Sequence, residues 1–356
     1  MNPIRVLVVA SKYIIGGQTK QAVQLIETLS SEPSLRIDHQ PIDPRLPGPF
    51  QILLEIRYLR TIVKFVLYSF QLLIRVPRYD IVHMYSAGVS SYAISTLPAL
   101  FVSKAYRRKF ILFYTDGRLG EHLATWRTAL PTIRMADAVV GPIQHIIDVF
   151  AQYGVPARRI SNGVNFSIIR YRRRKILRPR LLANRLLEPL YNHPCIFRAF
   201  QRVLDRYPDA DLVIANEGFL RSPLEQLARD MGLRNYKFIG VRPAEEVPFI
   251  YDAADIYVTS PNVDCMPGSI LECYEAGLPV VATRAGGIPN IVRHEETGML
   301  VDIDDDAAIA ACVFRLLEDP ELVERITAAA RREVKRYGWD QVRGEWISLY
   351  HELMEG

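Results

Sequence analysis

Cysteine is scarce in this chain: four residues in 356, at Cys195, Cys265, Cys273 and Cys312. None forms a C-x-x-C pair and no histidine stands beside them at zinc-ligand spacing, which excludes a disulfide scaffold and a zinc module. The pattern is that of reduced thiols in a cytoplasmic protein. Charge of one sign is also lacking. The net charge of +5 is mild for this length, whereas a nucleic-acid binder carries dense basic patches interleaved with aromatics. What basic excess exists is local, in YRRK (Tyr106 to Lys109) and RYRRRK (Arg170 to Lys175). No signal peptide is read at the start, since the apolar run Ile4 to Ala10 is too short and meets polar residues at once. Long lipid-compatible runs are missing too. His83 to Ser103 has no Asp, Glu, Lys or Arg, but its five serines, Thr96, Gly88 and Pro98 make it too polar to face lipid. It reads as a buried helix of an α/β domain.

What is present is alternation. Short β-branched runs trade places with longer helical patterns, the signature of βαβ units and parallel sheets. In the first half IRVLVVA, YDIVHMY, KFILFYT, AVVGP and RRISNGV read as strands, and Gly16 to Leu29 as a helix entered through a double glycine. In the second half RPRLLAN, ADLVIAN, YKFIGV, DIYVTS, LPVVATR and GMLVD read as strands, with helices such as HPCIFRAFQRVLDRY and SPLEQLARDMG between them. The expected organisation is α/β, with two doubly wound Rossmann-like domains facing across a cleft. The first covers residues 1–165, a basic linker covers 166–178, the second domain covers 179–335, and a helix over 336–356 returns toward the first. Ligands of such sheets sit beyond the carboxyl ends of the strands.

One stretch carries chemistry within that frame. In DCMPGSILE, Asp264 lies in the loop after the strand DIYVTS, and Glu272 lies in the first turns of the helix that follows. The amides of Gly268, Ser269, Ile270 and Leu271 have no helical partners of their own and, with the helix dipole, suit an anion such as a phosphate. A carboxylate would repel that anion, yet one turn along it is placed to accept hydrogen bonds from vicinal hydroxyls, and the loop carboxylate can do the same for a sugar. The ligand that fits has hydroxyls at both ends and phosphates between: a nucleotide sugar. Taken alone, an Asp and a Glu at this spacing are a loop solvator and a helix acid.

The context is specific. DCMPGSILECYEAGLPVVATRAGGIPNIV, followed by TGMLV and a run of acids, resembles the signature E-G-x-P-x-x-x-x-E-A-x-A-x-G-x-P-V-V-A and Gly-Gly-x-x-E-x-V of family 4 GT-B glycosyltransferases. The resemblance runs upstream through YPDADLVIANEGFLRSPLEQLARDMGL, KFIGV and EEVPFIYDAADIYVTSP, and takes in Gly16-Gly17 and NGVN at Asn162 to Asn165. It implies retaining transfer of a sugar from a UDP- or GDP-sugar to a glycan, glycolipid or lipid-linked acceptor, without a metal or other cofactor. By position, Glu272 matches the acid on the ribose hydroxyls, and Asp264 matches the donor-sugar acid that is Glu in most members. Gly268 to Leu271 match the helix start near the diphosphate, Gly16 and Gly17 the glycine loop, and Arg185 the arginine of G-R-x-x-x-x-K-G that neutralises the leaving group.

Three departures stand out. The lysine of that last motif is Leu190, leaving Arg118, Arg284 or Lys12 as candidates to compensate; the acid of the Gly-Gly loop is Asn290; and the histidine that many members carry after the strand KFILFYT is absent. Asp116 or His122 is then a candidate for that place, with an Asp-Gly turn as the plainer reading of Asp116. His83 reads as a core or cleft-floor histidine. A non-catalytic GT-B protein and, more distantly, a nucleotide-sugar epimerase are the rival functions. Finally, Ile52 to Val76 is amphipathic, with Arg57, Arg60, Lys64, Gln71 and Arg75 on one side and Leu59, Ile62, Val63, Val66, Phe70 and Leu73 opposite. That suits either an anionic membrane at the inner face of the cell or a core-facing helix with a solvated basic side. Arg170 to Lys175 likewise reads as a contact for an anionic lipid or as solvated linker charge.

Overall fold

The computed structural model describes residues 3–13, 16–45, 59–86 and 88–355. The chain divides into two units, Met1–Gly163 with Trp339–Gly356, and Val164–Gly338.

Each unit is built on a six-stranded parallel sheet. In the first, β1 (Ile4–Ala10), β2 (Leu35–Pro41), β3 (Ile81–Ser86), β4 (Lys109–Tyr114), β5 (Ala138–Gly141) and β6 (Arg158–Arg159) lie in the order β2-β1-β3-β4-β5-β6. In the second, β7 (Arg180–Asn184), β8 (Asp211–Ala215), β9 (Tyr236–Gly240), β10 (Ile256–Thr259), β11 (Val280–Thr283) and β12 (Met299–Val301) lie in the order β12-β11-β10-β7-β8-β9. Central strands are apolar on both faces because helices cover both, so Val6 to Ala10 and the whole of β3, β10 and β11 are buried. The strand β2 was not legible from sequence. It sits at an edge, alternates polar with apolar residues as LRIDHQP and ends in proline. RRISNGV contributes only the two-residue β6.

The first core joins β1 and β3 to α1 (Gly17–Leu29) and to the carboxyl-terminal helix Trp339–Glu355, which inserts Trp339, Val342, Trp346 and Tyr350. His83 belongs to this core. Its Nδ1 lies 2.8 Å from Tyr350 Oη, its ring lies 4.4 Å from that of Trp346, and burial pushes its pKa down to about 3. The span His83 to Ser103 is not one buried helix. It is the end of β3 followed by a helical run with a π turn at Tyr92–Thr96, continuing as α3 (Leu97–Ala105).

The second core lies between that sheet and helices such as His193–Arg206 and Asp306–Glu318. The basic stretch within 166–178 is part of this unit, and its charge is solvated only in part: Arg170, Arg173, Lys175 and Arg178 are exposed. Arg174 is buried, and its guanidinium donates to the carbonyls of Tyr251 (2.6 Å) and Ala276 (2.6 Å). Arg172 and Arg178 both pair with buried Asp255.

Within the amphipathic segment, Leu59–Arg75 forms α2 and Arg57 lies outside the described residues. The core-facing reading of its apolar stripe is overturned. The helix is seated by Tyr68, whose hydroxyl donates to the Ser95 carbonyl at 2.7 Å, by buried Leu72, by Gln71 against Gln40, and by Arg75 on the His39 carbonyl. Ile62, Val66 and Phe70, which the sequence points inward, are 60%, 59% and 58% exposed. Among the described residues no helix is long and apolar enough to cross a membrane.

Candidate functional site

In the second sheet β7 and β10 are neighbours, but the chain leaves them in opposite directions: β7 leads to β8 on one side, and β10 to β11 on the other. The loops beyond their carboxyl ends therefore diverge and leave a crevice. Arg185 is the first residue after β7, and Asp264 lies in the loop after β10. The two meet there. Arg185 Nη2 donates to Asp264 Oδ2 at 2.5 Å, and the Cys265 amide donates to Oδ1 at 2.8 Å. The guanidinium carbon stands 4.3 Å from the centre of the Tyr191 ring, a cation–π contact. Burial works to lower the Arg185 pKa, but Asp264, Tyr191 and Tyr257 outweigh it and hold the guanidinium charged. For Asp264 burial raises the pKa, with Arg185 pulling the other way.

Helix α4 (Val247–Ala253) precedes β10, and beyond β10 the chain enters α5 (Gly268–Ala276). Pro267 supplies an extended N-cap, no side chain caps the helix, and no acid sits in its first turn. A Cβ built on Gly268 meets nothing within 4 Å, so the space in front of the first turn is open. The expectation that all four amides from Gly268 to Leu271 stand free needs one correction: the Ile270 amide donates to the Pro267 carbonyl at 3.1 Å, a tightened first turn. Ser269 faces the crevice, its hydroxyl accepting from Tyr257 at 2.8 Å with Arg185 Nη1 at 3.4 Å.

Glu272, the fifth residue of α5, is buried. Its Oε2 accepts from the Tyr251 hydroxyl at 2.6 Å; that hydroxyl accepts from Asn184 Nδ2 at 3.2 Å, and Asn184 Oδ1 accepts from Asn216 Nδ2 at 3.1 Å. Burial first, and Glu272 second, raise the Tyr251 pKa, so the phenol remains a donor to the carboxylate. The Gly-Gly loop supports the other acid. The Gly287 amide donates to the Asp264 carbonyl at 3.0 Å, and Gly286 has φ +52 with that carbonyl oxygen only 2.1 Å from where a Cβ would stand. Only glycine fits there.

Arg185, Asp264, Ser269 and Glu272 thus gather at the carboxyl edge of one sheet. Tyr191, Tyr251, Tyr257 and Asn184, which hold them, were not singled out from the sequence. The signal it does carry is an asparagine at the carboxyl end of each of two neighbouring strands, in RLLAN and DLVIAN. Leu190, where the lysine is missing, offers its carbonyl to the Asn262 amide at 2.9 Å. Arg284, one residue past β11, is half-exposed and 3.7 Å from Asp302.

The first sheet has a different strand order, but the chain diverges there too, between β1 and β3. Gly16 and Gly17 lie after β1, at the start of α1, with nothing within 4 Å of a Cβ on either. Asp116, just past β4, is held in place: Oδ2 accepts from the Gly88 amide (3.2 Å) and Arg118 Nη2 (3.0 Å), and Oδ1 accepts from the Arg118 amide (2.9 Å). Burial opposes its ionisation, but these donors outweigh it and lower its pKa. Arg118 is therefore engaged by Asp116. His122 is fully buried, with Nδ1 3.0 Å from the Tyr114 hydroxyl and Nε2 without a partner.

Residues 179–333 match the family model of glycosyl transferases group 1. An uncharacterized glycosyltransferase of Methanocaldococcus jannaschii is 33% identical over 162 residues, 45% of this chain and 41% of that protein. A D-inositol 3-phosphate glycosyltransferase of Corynebacterium urealyticum is 32% identical over 176 residues, 47% of this chain and 41% of that one. The match thus takes in about two-fifths of the length of either relative. In fold, the chain is similar to Anabaena HepE in complex with UDP and glucose, with a TM-score of 0.75 over 97% of this chain and 99% of that one at 16% identity. It is also similar to sucrose-phosphate synthase from Thermosynechococcus elongatus, with a TM-score of 0.79 over 99% of both chains at 18% identity.

Proposed function

We propose, from the membership of residues 179–333 in the glycosyl transferases group 1 family and from the GT-B fold of the chain, that this protein is a retaining glycosyltransferase. Its donor is a nucleoside diphosphate sugar with uracil or guanine as base. Its acceptor is a hydroxyl of a glycan, glycolipid or lipid-linked saccharide, and the setting is assembly of a cell-surface polysaccharide or glycolipid. The observation that carries the reading is the gathering of Arg185, Asp264 and Glu272 around an uncapped helix start at the divergence of β7 and β10.

The chemistry follows from the charges. Without ligand, Arg185 and Asp264 neutralise each other. A diphosphate entering beside the amides of α5 competes for the guanidinium, whose paired donors match phosphate oxygens. As Arg185 turns to the diphosphate, the Asp264 carboxylate is released to accept from sugar hydroxyls, while Glu272 accepts from the ribose. In the transfer the bond from the anomeric carbon to the diphosphate oxygen breaks, and one forms to the acceptor oxygen on the same face. The acceptor proton passes to the departing phosphate, so neither a protein base nor a metal ion is required, and Arg185 and the helix amides stabilise the charge that develops there. Asp116 takes the place of the missing histidine as a hydrogen-bond acceptor for the donor sugar, and the glycine pair Gly16-Gly17 lets the backbone come close to the donor phosphate and the acceptor.

The engagement of Arg118 by Asp116 and the presence of Leu190 favour a second reading, a GT-B protein that binds a nucleotide sugar or a partner subunit without turnover. Glu272→Ala separates the outcomes. Calorimetry with UDP- and GDP-sugars should show donor affinity reduced on the order of tenfold to a hundredfold, as expected for losing hydrogen bonds to a charged group, with transfer abolished. Turnover that survives the substitution refutes the assignment; donor binding by the wild type without transfer to any acceptor favours the second reading.

A further inference from the structure

The helix α2 is seated on its polar side, and its apolar side is left over. Ile62, Phe65, Val66, Phe70, Leu73 and Ile74 form an exposed stripe along its outer face. The adjoining helical run adds exposed Ile94 and Phe101, and α2 packs against α3, so both stripes belong to one face of the first unit. A patch of this kind is unusual on a surface that meets only water.

Charge says what covers it. Between residues 59 and 115 the chain has eight Lys and Arg, of which Arg75 seats α2 and Lys104 pairs with Asp137, and a single acid, Asp80, which is itself bonded to Arg5. Arg78, after the end of α2, and Tyr106 and Arg107, after the end of α3, are exposed. At the start of α2 the stripe borders a cavity of about 260 Å³ whose wall includes Arg60, Lys64, Ser90 and Ser91 on the polar side, with Phe65 and Ile94 on the apolar side. Among the described residues the one carboxylate on that wall, Asp43, accepts from the amides of Lys12 and Tyr13 at 2.9 Å each and so points its charge at backbone donors. Cations and hydroxyls beside an apolar ridge match the layered chemistry of a lipid surface, phosphate above and hydrocarbon below.

We propose that this face docks on an anionic lipid bilayer, with the α2 stripe, Ile94 and Phe101 among the acyl chains and a lipid phosphate in the cavity against Arg60 and Lys64. The helix lies in the plane of the interface rather than across it. The inference deepens the reading of an acceptor carried by a lipid, but it stands on residues of the first unit that bind no donor.

Co-sedimentation of the full chain with vesicles tests it. Binding should be weak to phosphatidylcholine vesicles, strong when phosphatidylglycerol is added, and reduced by salt. Arg60→Glu with Lys64→Glu should weaken binding to the mixed vesicles by roughly fivefold or more per charge. Val66→Ser with Phe70→Ser alters only exposed side chains and should weaken binding on the order of tenfold or more with an unchanged melting temperature. Failure of the wild type to sediment, indifference to both pairs of substitutions, or a dimer in light scattering that both pairs dissolve would overturn the proposal. Because sedimentation needs no sugar donor, vesicle binding without transfer would refute the enzymatic reading alone, and transfer without vesicle binding this one alone.

Discussion

Asp264→Asn separates the two jobs given to that side chain. The substitution keeps the size of the group and removes its charge, leaving the Arg185 guanidinium, whose side chain is only 13% exposed, without a counter-ion. Breaking a buried pair from one side costs about 3–5 kcal/mol, and the lower figure applies because the asparagine oxygen still accepts one hydrogen bond. For a unit of this size that is a fall of roughly 10 °C in melting temperature. The same change ends the competition for Arg185. A nucleoside diphosphate no longer has to displace a carboxylate, and its affinity should rise by roughly tenfold to a hundredfold, the worth of one charge-assisted hydrogen bond. Calorimetry with UDP and GDP, and melting curves with and without them, read both effects at once: added nucleotide should stabilise the variant more than the wild type, so that the gap between them narrows. Sugar transfer should fall, because the carboxylate that is to accept from the sugar is gone. If the nucleotide binds more weakly to the variant, or the melting gap is the same with and without it, Arg185 is not the group that the diphosphate takes over.

Gly286→Ala must push the Asp264 carbonyl aside from a left-handed backbone position, and should cost about 2 kcal/mol or more in denaturant unfolding together with sugar transfer. Gly17→Ala, with open space around it, is the contrasting control for stability. The stability of the first unit should depend on acid through His83, whose pKa near 3 in the fold lies below that of the unfolded chain. Its contribution is fully present above the unfolded value and is lost as pH falls from about 6.5 toward 3, at a slope of about 1.4 kcal/mol per pH unit. His83→Phe should flatten that slope while costing stability at neutral pH, because Tyr350 loses its partner; unfolding curves across this range with an unchanged slope would refute the assignment.

The sequence reveals most where one segment decides its own structure. All six strands of the second sheet are read from the sequence, the inner ones from apolar runs such as LPVVATR, because a strand buried on both faces needs no pattern from elsewhere. The acids Asp264 and Glu272 are legible as a spaced pair on a strand-loop-helix unit. Their supports are not. Tyr251 reaches Glu272 from α4, Tyr191 reaches Arg185 from a turn after β7, and a tyrosine at either place carries no local mark of what it will touch. For α2 the 3.6-residue period announces a helix with two faces but is silent on which one the protein covers. Tyr68 and Leu72, not the wider stripe, find partners. His83 stayed open between core and cleft because its partners Trp346 and Tyr350 come from the far end of the chain.

That long-range closure sets an order of assembly on the ribosome. Residues Val164–Gly338 are continuous and hold their own core, whereas the first sheet lacks Trp339, Trp346 and Tyr350 until the last helix has been made. The half that is synthesised second is therefore the half that completes its packing first. The nascent amino-terminal half waits with one side of its sheet open, and chaperone demand during synthesis concentrates on that waiting surface.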